Sequence, residues 1–123
     1  MRSLIAAALL LAGCSAVQAA PDASQVKGSY DIWEDFEGGT VCPLTLDDAE
    51  AIGGYALEGD DTCMQVFKFA GDPYAWFLDD DSRLVMIDAT RQVLARFQPL
   101  EDGVFRADRS DEGLEGVVLS PAD

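Results

Sequence analysis

After Gly28 the chain alternates apolar and polar residues with a period of two, and turn residues interrupt the alternation roughly every six to twelve positions. Cys42, Leu44 and Leu46 fall on one face of such a run, as do Val93, Ala95 and Phe97, and the pair Phe105 and Ala107. The pattern predicts eight short strands, over 29–33, 41–46, 55–58, 74–78, 83–88, 92–98, 104–108 and 114–119, followed by a frayed tail at 120–123. Helical signals are brief. Asp22 is placed to cap a single turn over 23–27 that Gly28 would end. Asp47-Asp48-Ala49-Glu50 has the form of an N-cap with an acidic residue three places on, and predicts a helical turn running to Ile52 before Gly53-Gly54 stops it. The run from Met64 to Phe69 suits a strand or a helix. Cys63, Val66 and Phe67 would share a helical face, which favours a helical turn there.

The connections are acidic or glycine-bearing: Glu34-Asp35-Phe36-Glu37-Gly38-Gly39, Glu58-Gly59-Asp60-Asp61, Asp79-Asp80-Asp81-Ser82, and the hairpin signal Asp102-Gly103. Short antiparallel strands joined by tight turns leave two raw edges unless the sheet closes on itself. About eight strands is the number at which a barrel is just filled by its own side chains. The reading is therefore all-β, a small eight-stranded antiparallel β-barrel. Tyr30, Trp33, Phe67, Phe69, Trp76, Phe77, Phe97 and Phe105 are expected to fill its core.

The first residues read as an address. Arg2 precedes an unbroken apolar run from Leu4 to Ala12, too short to span a bilayer, so the segment has the form of an export signal. Two endings are open. Leu11-Ala12-Gly13-Cys14 resembles a bacterial lipobox, which would make Cys14 a lipidated first residue after a signal peptide of residues 1–13. Val17-Gln18-Ala19 fits an ordinary cleavage site, which would release a soluble periplasmic chain beginning at Ala20. With Cys14 acylated, the chain is expected to be an outer-membrane lipoprotein facing the periplasm or the exterior, since Ser15 is not the aspartate associated with inner-membrane retention. Residues 14–27 would form a tether or trunk, and 28–120 the barrel domain.

Composition narrows the chemistry. The chain has 123 residues, enough for one small domain, with 49% apolar and 25% charged residues. It carries 23 acidic and 8 basic side chains, a formal net charge of −15, which argues against a nucleic-acid partner. It contains no histidine, so Ser-His and Cys-His nucleophile pairs and histidine-bound zinc are excluded. Cys14, Cys42 and Cys63 are an odd set for an exported protein. If Cys14 carries lipid, Cys42 and Cys63 remain as an even pair whose bridge would close a loop of about twenty residues and contribute roughly 3 kcal/mol. Buried free thiols are the alternative, and two thiolates without histidine make an incomplete metal site.

Several short motifs run in a fixed order: Pro21 with Gly28-Ser29-Tyr30, Cys42-Pro43-Leu44, Gly54-Tyr55-Ala56-Leu57, Gly59-Asp60-Asp61-Thr62-Cys63, Ala75-Trp76, Leu84-Val85-Met86-Ile87-Asp88, Val93-Leu94-Ala95-Arg96-Phe97 and Asp102-Gly103-Val104-Phe105. In this order and spacing, over about a hundred residues from Pro21 to Leu119, they resemble the AprI/Inh alkaline metalloproteinase-inhibitor family, and in particular its outer-membrane lipoprotein branch. The resemblance implies a lipocalin-like barrel with an N-terminal trunk, no cofactor and no bound metal. Its implied partner is a serralysin-type zinc metalloendopeptidase, whose active-site cleft the inhibitor blocks. The trunk would be Ser15, Ala16, Val17, Gln18, Ala19 and Ala20, leading into the turn at 21–28. The chain departs from the family in carrying Tyr30 where soluble members carry tryptophan, and in a longer first hairpin. An acylated Cys14 would also deny a free amine to the protease zinc, turning attention to the loops or barrel face.

Other roles are less well supported by the residues. A non-inhibitory structural or ligand-binding lipoprotein could use the same barrel, since a fold alone does not carry a function. The aspartates at 79–81 and the carboxylates at 58–61 could supply oxygens to calcium, yet their spacing matches no calcium loop. Glu34, Glu37 and Glu50 are the remaining candidates for carboxylate acid–base work, with nothing to place two of them across a cleft. The chain is therefore not expected to be an enzyme.

Overall fold

The computed structural model describes residues 22–122. The strands in chain order are β1 (Gly28–Glu34), β2 (Val41–Ala51), β3 (Gly54–Gly59), β4 (Ala75–Leu78), β5 (Leu84–Ile87), β6 (Val93–Pro99), β7 (Phe105–Ala107) and β8 (Val117–Pro121). Each pairs antiparallel with the next, and β8 returns to β1, so the sheet is a closed barrel without free edges. Two short helices flank the early strands, α1 (Ala23–Val26) and α2 (Asp61–Met64), and a 3₁₀ turn over Gln65–Phe67 follows α2.

α1 forms because its ends are satisfied locally. The Asp22 carboxylate accepts the Gln25 N–H at 3.2 Å while the Gln25 side chain accepts the Asp22 N–H at 2.9 Å, a reciprocal capping box. Ala23 and Val26 are buried, and the buried Tyr30 hydroxyl donates to the Val26 carbonyl, tying α1 to β1. Lys27 adds an ion pair to Asp48 at 3.3 Å. The Asp102-Gly103 signal makes the expected hairpin, both residues having positive φ (59° and 77°) and the Val104 N–H donating to the Glu101 carbonyl.

The barrel interior is filled. Ile32, Leu44, Leu46, Phe67, Trp76, Leu84, Met86, Phe97 and Leu119 are fully buried, as the alternation requires of the inward set. β5 is buried on both faces, because its outward residues Val85 and Ile87 join Ala75 in a second small cluster against Ala51 and Phe77. Trp33 and Phe77 therefore do not fill the core as expected: Trp33 is half-buried with its indole N–H donating to Ser120 Oγ at 3.2 Å, and Phe77 belongs to the outer cluster.

Three further expectations need correction. The predicted helical turn from Asp47 to Ile52 is instead the continuation of β2, with a register shift between Leu46 and Glu50. There the Asp47 carboxylate accepts the N–H groups of Asp48 and Ala49, while the Trp76 indole N–H occupies the Asp47 carbonyl at 2.9 Å, which a helix would have needed for its own ladder. The tail predicted to fray is paired: Ser120 and Pro121 lie opposite Asp31 and Tyr30, closing the barrel, and β8 starts only at Val117. The helical turn after Cys63 is present, but Val66 is 40% exposed and Met64 takes the inward position.

Candidate functional site

An up-and-down barrel has two ends. The near end carries α1, the start of β1, and the connections at residues 52–53, 79–83 and 100–104. The far end carries the longer connections at residues 35–40, 60–74, 88–92 and 108–116.

At the far end, Cys42 and Cys63 form a disulfide with Cα atoms 6.0 Å apart, which fastens α2 to β2 across a sequence separation of 21. Asp60 caps α2 by accepting the Cys63 N–H at 2.9 Å. Arg109 holds the same connection from the other side. It is buried, donates from Nε to the Glu115 carbonyl at 2.8 Å and from Nη1 to the Phe67 carbonyl, and stands 5.5 Å from the centre of the Phe69 ring. Burial pulls its guanidinium below the ordinary arginine range, and the carboxylates of Glu112, Glu34 and Glu115 oppose that. Nothing in the sequence marked Arg109, because its partners are two backbone carbonyls and a ring distant along the chain.

The first hairpin loop is also pinned at this end. The Asp35 N–H donates to the Gly116 carbonyl at 2.9 Å and its carboxylate pairs with Arg106 at 2.8 Å. The Glu34 N–H donates to the Thr40 carbonyl, and the Gly39 N–H to the Phe36 carbonyl at 3.0 Å.

The carboxylates singled out for other chemistry are dispersed. Glu34 and Glu37 sit at the far end and Glu50 beside the near-end hairpin, so no acid–base pair spans a cleft. Asp79 serves its own turn. Partial desolvation raises its carboxyl, but the N–H groups of Arg83 and Asp81 and the Arg83 guanidinium outweigh it and hold the group below the usual range. Asp60 is a helix cap. Among the described residues no group of three or more Cys, Asp or Glu side chains gathers to hold a metal ion, and no helix is long and apolar enough to cross a membrane. A cleft of about 180 Å³ lies among Leu44, Leu57, Met64 and Phe69, and a groove of about 620 Å³ runs along the near end past Asp22, Glu50 and Tyr55. Cys14, expected to carry lipid, and Ser15, Ala16, Val17, Gln18, Ala19 and Ala20, expected to form a trunk, lie outside the described residues.

Comparison with known proteins follows the barrel closely. A family model described as protease inhibitor Inh matches residues 20–119. Among solved structures, one described as the crystal structure of a psychrophilic marine protease MP inhibitor superposes with a TM-score of 0.67 at 21% identity, covering 83% of this chain and 100% of its own. No curated protein matches.

Proposed function

The chain belongs to the protease inhibitor Inh family, and from that premise we propose that it inhibits a secreted zinc metalloendopeptidase of the serralysin type by occluding the active-site cleft. The observation that carries this reading is the span of the match, which runs through the whole barrel from before α1 to β8. An inhibitor of this family is not an enzyme, and its useful property is rigidity. A closed barrel with a disulfide at one end presents its loops already ordered, so little conformational entropy is lost on docking. The fold shared with a marine protease MP inhibitor supports a protease as the class of partner. The side chains that fill the barrel weigh against the alternative of a ligand-binding lipoprotein.

The same reading places the protein in the cell envelope, anchored to the outer membrane through lipid on Cys14 and facing the periplasm or the exterior. The motif at residues 11–14 and the even cysteine pair that remains support the anchor. Cleavage after Ala19 would instead give a soluble periplasmic inhibitor whose free amine could approach the zinc. Mass spectrometry of the mature N-terminus separates the two: an acylated Cys14 is expected, and a chain starting at Ala20 would restore the trunk as the blocking element. Inhibition itself is tested with the lipid-free chain 20–123 against serralysin-type and unrelated proteases. Loss of serralysin-type activity at a defined stoichiometry is expected; full activity of every protease at micromolar inhibitor would overturn the proposal.

A further inference from the structure

We infer that the Phe36 loop at the far end is the protease-docking element, and that it fits an apolar pocket bordered by lysine or arginine on the protease. The inference rests on the inhibitory reading above and names the surface through which it acts.

Phe36 is 46% exposed, and Val41, in register with Trp33 at the root of the same hairpin, is 58% exposed. Beside them the disulfide carries Cys63 Sγ to 3.8 Å from the Val41 carbonyl, and the turn that follows leaves Val66 40% exposed. Five of the seven large apolar side chains exposed among the described residues, Phe36, Val41, Val66, Tyr74 and Val93, fall at this end of the barrel. Single exposed apolar residues are ordinary, whereas grouped ones mark interaction surfaces.

The second observation is that the loop is held still. Its backbone is fixed by the Asp35–Gly116 and Gly39–Phe36 hydrogen bonds and by the Arg106–Asp35 pair. It also depends on Gly39, where a Cβ would come within 2.6 Å of the Glu34 carbonyl oxygen. A large aromatic side chain displayed on a fixed loop has the form of an interface anchor, since little ordering remains to be done when it is buried.

Charge selects the partner. Asp35 is neutralised by Arg106 and the charge of Glu34 is felt by the Arg109 guanidinium, but Glu37 has no ion pair among the described residues. The acidic rim and the net charge of −15 disfavour a second copy of the chain and favour a cationic border around the receiving pocket. The loop lies at the opposite end of β1 from α1, about 20 Å away at the rise of a seven-residue strand. An acylated Cys14 would draw the α1 end toward the bilayer and leave the Phe36 end directed away from it.

The test compares the mature protein with its Phe36→Ala and Glu37→Lys variants, measuring the inhibition constant against the serralysin-type protease together with the melting temperature. Phe36→Ala is expected to raise the inhibition constant at least tenfold with an unchanged melting temperature. Glu37→Lys is expected to raise it about threefold to tenfold and to weaken its dependence on salt. If wild type inhibits and both variants inhibit within twofold of it, the inference is overturned while the inhibitory reading stands. If wild type inhibits nothing, the inhibitory reading falls and takes this inference with it. A Phe36→Ala variant that melts earlier is replaced by Phe36→Ser and Val41→Thr, for which weakened inhibition at unchanged melting temperature again supports the inference and unchanged inhibition overturns it.

Discussion

The two ends of the barrel are secured by different means. The near end is held mainly by contacts between residues close in sequence, the Asp22–Gln25 capping box, Tyr30 on Val26 and the tight Asp102-Gly103 turn, beside one exposed ion pair from Lys27 to Asp48. The far end depends on links that jump along the chain, namely Cys42 to Cys63, Arg109 to Phe67, and Arg106 to Asp35. Short turns need few constraints, since they fix few residues. The fifteen residues between β3 and β4 cross the far end with only α2 and a 3₁₀ turn as regular structure, and without long-range tethers the entropy of that segment would loosen it. The far end thus displays long loops held in order, whereas the near end closes the core with short turns.

The strongest challenge to this contrast is removal of the disulfide. Replacing Cys42 and Cys63 with alanine should cost roughly 3 kcal/mol, from the loop that the bridge closes. For a domain of this size that lowers the melting temperature by roughly 12–20 °C. A drop of only a few degrees would show that the far end is secured without it. Next in size is Arg109→Leu, which strips donors from the Phe67 and Glu115 carbonyls and should cost roughly 2 kcal/mol in denaturant unfolding. Arg109→Lys should recover little of this, because an ammonium cannot span both carbonyls as the guanidinium fork does. At the near end, Tyr30→Phe removes one hydrogen bond to the end of α1 and should cost about 1 kcal/mol. A larger loss for Tyr30→Phe than for Arg109→Leu would reverse the contrast.

The smallest effect depends on pH. The Thr90 hydroxyl and the Gln92 N–H hold the Asp88 carboxyl below the usual carboxylate range, and the Ser110 N–H does the same for Asp108. A carboxyl whose value is lower in the folded than in the unfolded state stabilises fully above the unfolded value, about 3.9, and the contribution is lost as pH falls through the folded value. Asp88→Ala should therefore lower the melting temperature slightly at pH 7, and the difference from wild type should vanish in strong acid. A difference that persists at the lowest pH would mean that Asp88 acts through packing.

What could be read from the sequence follows the same division. The alternation at Cys42, Leu44 and Leu46 put those residues inside, and all three are buried. The Asp102-Gly103 turn and the Asp22 cap are local chemistry and were visible as such. The cysteine pair was legible because, once Cys14 is set aside for lipid, only Cys42 and Cys63 remain. The bulge after Leu46 was not, because Asp47 offers the same carboxylate to a helix cap and to a bulge, and the choice is made by Trp76, 29 residues away. The orientation of Phe77 escaped because the apolar content of a strand does not show which aromatic faces outward when an outer cluster also buries one side, and that of Trp33 because its partner Ser120 is brought in by closure of the barrel. Arg109 and the pinned Phe36 loop depend on partners supplied by closure, so no local pattern announces them.

Competition at the protease zinc tests the account most directly. A small hydroxamate bound to the active-site metal of a serralysin-type enzyme and the mature inhibitor should exclude one another, each raising the other's apparent Kd in proportion to its concentration. A ternary complex of enzyme, hydroxamate and inhibitor, or no enzyme–inhibitor complex at all, would contradict occlusion of the cleft.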